Sequence, residues 1–346
     1  MRTIDDFTRP LESLSPMDAP LRKVVREWAD NEVIPHRRKF DEDYEEHKLI
    51  EPAFDKLMGE YGMQRVLFPS DLGGWGMGGS NYFATAAYML CEEVSRADSG
   101  MGVAFAVVHW PLLLICVEPH VNRELCEEFA PIFCSTTKAR FAANAMTEPQ
   151  GGADIENMDI VRGSTIQTTA VLDGDEWVIN GHKIWPTNSG EVADLYGVVC
   201  TTKKGSTDLN DFAFIYVPAH TPGVSMGGPY QKAGMSADMN TDIWFENVRV
   251  PKFYRAHGPG DDLTYFTEMI TYGNMASASM CLGVMKNVYD CLLYTSDAAD
   301  DLLCVDLGGR RIIKKKNKQP HSPLSLRTNS PAPHTPLTAT INNTIL

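Results

Sequence analysis

The chain has 346 residues, 43% of them hydrophobic and 22% charged, with a formal net charge of −14. This supports roughly two to three folded domains and argues against disorder of the whole chain, while the acidic balance disfavours nucleic acid and anionic lipid as partners. No apolar run is expected to reach the ~18 residues of a bilayer span, Met1–Asp6 lacks a signal-peptide core, and eight scattered cysteines show neither Cys-x-x-Cys nor zinc spacing, which fits free thiols, a cytoplasmic setting and no metal.

Residues 18–130 carry helical periodicity. Leu21, Val24, Val25, Trp28 and Val33 recur at helical spacing before a stop at Pro35. A second helix is predicted over Tyr44–Tyr61, with Leu49, Ile50, Phe54 and Leu57 on one face. After the loop Gly73–Gly79, Ser80 is expected to cap a helix running to Ala97. An apolar helix over Gly102–Val117 and a shorter one over Arg123–Phe129 follow. From Ala139 the pattern changes. Thr168–Leu172 and Glu176–Ile179 around Asp173-Gly174-Asp175 read as a β-hairpin, and Asn180-Gly181 as another tight turn. Further strands are expected over Leu195–Thr201, Asp211–Val217 and Ile243–Val250, and a helix over Asp262–Asp290.

Four segments stand out in order: Pro69–Gly76, Ala145-Met146-Thr147-Glu148-Pro149-Gln150-Gly151-Gly152-Ala153-Asp154, Gly181–Asn188, and Phe245–Pro251. On an α–β–α background they resemble the signature segments of the FAD-dependent acyl-CoA dehydrogenase family, over residues 15–290. The resemblance implies an α+β fold. It would comprise an N-terminal helical domain (1–138), a β-barrel-like middle domain (139–251) and the start of a truncated C-terminal helical domain (252–290). It implies FAD as cofactor, with Met146, Thr147, Trp185 and Thr187 matching the flavin contacts. It also implies an acyl-CoA substrate converted to a trans-2-enoyl-CoA, electrons passed to an electron-transfer flavoprotein, and a homo-oligomer compromised here by missing C-terminal helices. The physics agrees: a flat ring needs an aromatic wall, which Trp185 can supply, and polar groups along its edge, which Thr147 and Thr187 can supply. Gly151 and Gly152 would let backbone N–H groups approach a phosphate.

Departures from the family pattern fall at Ala153, Pro186, Ser236 and Asn274. The catalytic carboxylate is unassigned. The position that carries it in a minority of members falls at Gly273, and Glu268, five residues earlier, is expected to point elsewhere. Glu148 is expected to be structural. Phe105, Val107, His109 and Trp110 are read either as acyl-pocket lining or as helix core. Met101–Ala104 offers no cation for a distal carboxylate. The alternatives kept open are an acyl-CoA oxidase or flavin monooxygenase of the same fold, and a non-catalytic flavin- or CoA-binding remnant.

After Asp290 the composition turns basic and Pro/Ser/Thr/Asn-rich, with seven Lys/Arg against four Asp/Glu in 291–346. Cys291–Asp300 and Cys304–Lys314 resemble a translated sequencing adapter, so 291–346 is expected to be a disordered, artefactual tail and the natural C-terminal residues, with the catalytic base, to be lost.

Overall fold

The computed structural model describes residues 18–156 and 166–300. Of these, the residues up to Leu293 form one compact unit, which does not include Tyr294–Asp300.

The first helix, α1 (Asp18–Trp28), buries Leu21, Val25 and Trp28 and continues as wider π-turns over Ala29–Val33. The helix expected from Tyr44 instead begins at Ile50. The Asp43 carboxylate accepts the backbone N–H groups of Lys48 (2.9 Å), Leu49 (2.7 Å) and Ile50 (3.0 Å), so the chain turns there before the helix can start. Between them, α2 is Arg37–Phe40 and α3 is Ile50–Phe54, followed by π-turns over Asp55–Glu60. Leu49, expected on the apolar face, is exposed.

Helix α4 (Phe83–Ala97) starts three residues after Ser80, whose hydroxyl accepts Tyr82 N–H at 3.2 Å. Helix α5 (Ser99–Cys116) begins earlier than expected because Asp98 caps it, accepting Met101 N–H at 2.9 Å. By length and composition α5 is apolar enough to cross a membrane, against expectation. Yet 61% of it is buried within the fold, as befits a core helix. Helix α6 (Arg123–Cys134) runs five residues past the expected end.

The strands are β1 (Phe141–Ala145), β2 (Thr169–Asp173), β3 (Glu176–Lys183), β4 (Ala193–Thr201), β5 (Phe212–Pro218), β6 (Val224–Met226) and β7 (Ile243–Pro251). They form one sheet in the order β1-β4-β2-β3-β7-β6, with β5 also on β4. The predicted β2–β3 hairpin is present, with Gly174 at φ 64° in its turn. The turn expected at Asn180-Gly181 is not: both lie inside β3, at a register shift against β7. Glycine is needed there because a Cβ would fall 2.3 Å from Thr168 Oγ1.

The last helix, α7 (Asp261–Asp300), extends ten residues into the segment expected to lack helical order. Leu292, Leu293, Ala298 and Ala299 favour helix, and the first glycine after Asp290 is Gly308. The rest of the expected tail, 301–346, lies outside the described residues.

Candidate functional site

Strands β1 and β3 end side by side, and their ends are tied by a buried ion pair. Lys183 Nζ lies 2.8 Å from Glu148 Oε1 and donates to the Met146 carbonyl at 2.9 Å; both side chains are essentially inaccessible. Glu148 also accepts Gln167 N–H (2.7 Å) and Thr168 N–H (2.8 Å). Burial alone would push this carboxyl up, but Lys183 and the two N–H groups outweigh it and hold it below the usual carboxylate range. Glu148 is therefore structural, as expected; its partner Lys183, 35 residues away, went unread in the sequence. Ile184 N–H donates to the Thr147 carbonyl (2.9 Å), so the segment after β1 and the segment after β3 move as one.

That double end presents the four expected flavin contacts together. Met146 and Thr147 follow β1 and are half-buried, as is Thr187. Trp185 is 52% exposed and sits at φ 43°, a left-handed backbone that a bulky residue holds only under outside constraint. The constraint comes from the loop between β6 and β7. Asn240 Nδ2 donates to the Trp185 carbonyl (3.0 Å), and the Asp238 carboxylate accepts the Thr187 hydroxyl (3.1 Å) and Asn188 N–H (3.1 Å). Lys232 donates to the Asp238 carbonyl at 2.6 Å, to its carboxylate at 3.2 Å and to Asn240 Oδ1. Burial raises the Asp238 carboxyl, and Lys232 pulls it back. On the other side, Asn188 donates to the carbonyls of Ala104 in α5 (2.8 Å) and Ala142 in β1 (3.3 Å). Lys232, Asp238 and Asn240 were not read from the sequence, because they occupy a loop without period. Gly152 lies close to this edge: a Cβ there would sit 3.2 Å from Thr147 Cγ2. Asp154, the end of the motif, has no described side-chain position.

An apolar cavity of about 240 Å³ opens beside the turn, between α4, α5 and α7, and Thr187 forms part of its wall. It exceeds the roughly 150 Å³ of an apolar protein cavity that takes up benzene. Phe105, Val107, His109 and Trp110 all line it, and Phe105 and Val107 are at the same time buried in the core around α5. Trp110 donates its indole N–H to the Met269 carbonyl (2.7 Å) and lies over Gly273, where a Cβ would be 2.2 Å from the ring.

Among the described residues, no carboxylate lines this chamber. His109 is fixed, with its ring nitrogens 3.0 Å from the Phe105 carbonyl and 2.8 Å from that of Met63, and burial pushes its pKa down. Burial lifts the Cys91 thiol to about 12. Glu268, on the far side of α7, pairs with His120 at 3.0 Å in a separate small cleft, so it does point elsewhere.

A helical layer packs over the sheet, and the apolar chamber meets the Trp185–Asn188 turn at Thr187. Residues 16–137 match the N-terminal domain of acyl-CoA dehydrogenases and residues 143–248 their middle domain. The chain belongs to the acyl-CoA dehydrogenase family. A probable acyl-CoA dehydrogenase of Bacillus subtilis is 29% identical over 277 residues, covering 79% of this chain and 66% of that protein. The mitochondrial short-chain specific acyl-CoA dehydrogenase of Mus musculus is 30% identical over 271 residues, covering 78% of this chain and 60% of that protein. The solved acyl-CoA dehydrogenase of Bacillus anthracis complexed with FAD shares the fold at a TM-score of 0.65 and 24% identity, covering 82% of this chain and 45% of that one. The chain thus spans under two thirds of the length of each of these relatives.

Proposed function

We propose that this chain binds FAD on the Trp185–Asn188 turn and a short acyl-CoA thioester in the adjoining chamber, for α,β-dehydrogenation to a trans-2-enoyl-CoA. The observation that carries it is that Thr187 belongs to both places, the polar turn and the apolar wall. The residues present fit the cofactor: an exposed indole face, two flanking hydroxyls, and a glycine edge where a side chain would crowd Thr147. FAD, when bound, supplies the acceptor for the β-hydrogen as hydride.

The chain's own residues do the rest of the positioning. Trp185 walls the ring, the chamber strips water from the acyl chain, and Thr147 and Thr187 set the ring's edge against it. Dry surroundings also strengthen every dipole aimed at the thioester. Electrons would then pass to an electron-transfer flavoprotein. With no carboxylate among the described lining residues, the α-proton must be taken by a group from outside them; the same observation favours the second reading, a module that binds without reacting. We place the activity in the cytoplasm.

The test is to reconstitute the 346-residue chain with FAD and titrate it anaerobically with butyryl-CoA. Saturable perturbation of the flavin spectrum without bleaching is the expected result. Failure to retain FAD, or a spectrum indifferent to acyl-CoA, would overturn the assignment; rapid bleaching would overturn only the placement of the base.

Trp110 is expected to set the depth of the chamber. Trp110→Ala should improve octanoyl-CoA binding relative to butyryl-CoA by at least about tenfold, roughly two buried methylenes' worth. Competitive titration measures the ratio, and an unchanged ratio means that Trp110 does not end the chamber.

A further inference from the structure

The hydroxyl of Thr187 has one proton to give, and the structure shows where it goes: to Asp238 Oδ2, 3.1 Å away. The other carboxylate oxygen is taken by Asn188 N–H. Asp238 is 5% exposed and lies 3.2 Å from the Lys232 ammonium, whose charge favours the ionised, hydrogen-bond-accepting carboxylate against the upward push of burial. Lys232 in turn orients Asn240, whose amide holds the Trp185 carbonyl. One ammonium thus sets both the aromatic face and the direction of the neighbouring hydroxyl.

A hydroxyl that donates to a fixed carboxylate has only lone pairs left for anything else beside it. Thr187 therefore meets a ligand as an acceptor, and an acceptor favours a partner bearing N–H. A reduced flavin ring carries an N–H at N5, where the oxidised ring has a bare nitrogen. We propose that the Lys232–Asp238 pair is a positioning device that locks Thr187 as a hydrogen-bond acceptor toward the flavin edge and so favours the reduced ring over the oxidised one. This rests on the assignment of FAD to the Trp185–Asn188 turn.

The experiment compares midpoint potentials, by dye-equilibrated reduction, of FAD-loaded wild type, Asp238→Asn, Thr187→Val and Thr187→Ser. A carboxamide at 238 can itself donate to the hydroxyl and frees the threonine proton. Asp238→Asn and Thr187→Val are each expected to move the reduced-to-oxidised equilibrium about tenfold toward the oxidised ring, about 30 mV for a two-electron couple. Thr187→Ser should retain the wild-type potential, and the Asp238→Asn/Thr187→Val double variant should shift no further than either single one. Equal potentials in wild type and Thr187→Val would overturn the proposal, even should Asp238→Asn fail to fold. So would a Thr187→Val shift that Asp238→Asn, folded by circular dichroism, does not share. Failure of the wild type itself to hold stoichiometric FAD would instead overturn the cofactor assignment, and the proposal with it; stoichiometric FAD with unmoved potentials overturns the proposal alone.

Discussion

Lys183→Met is expected to destabilise the fold by about 3–5 kcal/mol, the cost of leaving a buried carboxylate without its counter-ion. Glu148 would keep the N–H groups of Gln167 and Thr168 but lose the ammonium that neutralises it, in a place closed to water. A domain typically has about 5–15 kcal/mol of stability in all, so the loss takes a large share. The damage is also local to function. Lys183 holds the Met146 carbonyl, and its neighbour Ile184 holds that of Thr147, so the two halves of the proposed flavin edge should part and FAD affinity should fall with stability. Urea unfolding gives the first number and flavin fluorescence the second. The double variant Lys183→Met/Glu148→Leu removes both charges and is expected to recover part of the stability. If the single variant unfolds within about 1 kcal/mol of wild type, the pair does not hold the strand ends.

Glu92→Leu is expected to cost a similar 3–5 kcal/mol by the same rule, with a different consequence. Glu92 in α4 is buried between Arg22 of α1 (2.7 Å) and Lys286 of α7 (2.6 Å), both nearly inaccessible. Its removal takes this carboxylate from both cations, although Arg22 keeps Glu93 at 3.0 Å. Gly283 marks how closely the helices meet, since a Cβ there would fall 2.2 Å from the Glu92 carbonyl. Tyr272, Gly273 and Met280 of α7 wall the apolar chamber, so loosening this joint should open the chamber to water. Hydrogen exchange in α7 around Lys286 should quicken before the sheet unfolds. Lys286→Met leaves Glu92 with Arg22 and should be milder. Unchanged exchange in Glu92→Leu would show that apolar packing alone seats the helix.

The legible parts of this molecule are those where a local rule coincides with the global one. The β2–β3 hairpin has an apolar run on each side of Asp173-Gly174, and β5 and β7 are rich in β-branched and aromatic residues. Local rules failed where a distant residue decides. Asn180-Gly181 carries the composition of a turn, but its glycine answers to Thr168, which precedes the hairpin. Helix α3 starts late because of one carboxylate, Asp43. Strand β1 is Phe-Ala-Ala-Asn-Ala, buried on both faces, so it has no alternation to read. In the site, Trp185, Thr147 and Thr187 stand in segments distinctive enough to be recognised. The groups that aim them, Asp238, Asn240 and Lys183, act across 35 to 55 residues of chain, beyond any window of periodicity, and Lys232 acts through Asp238 and Asn240.

The parallel pairing of β1 with β4 sets an order of events. Phe141–Ala145 pairs with Ala193–Val198, and the chain between them contains the whole β2–β3 hairpin. A local hairpin closes in microseconds, whereas a parallel neighbour must first gather the long intervening segment and gains nothing until that is done. The strand bearing Met146 and Thr147 at its end should therefore join the sheet after the strand bearing Trp185. The two edges of the ring site would mature at different times, so cofactor capture should report a late step in refolding, well after most β-structure has formed.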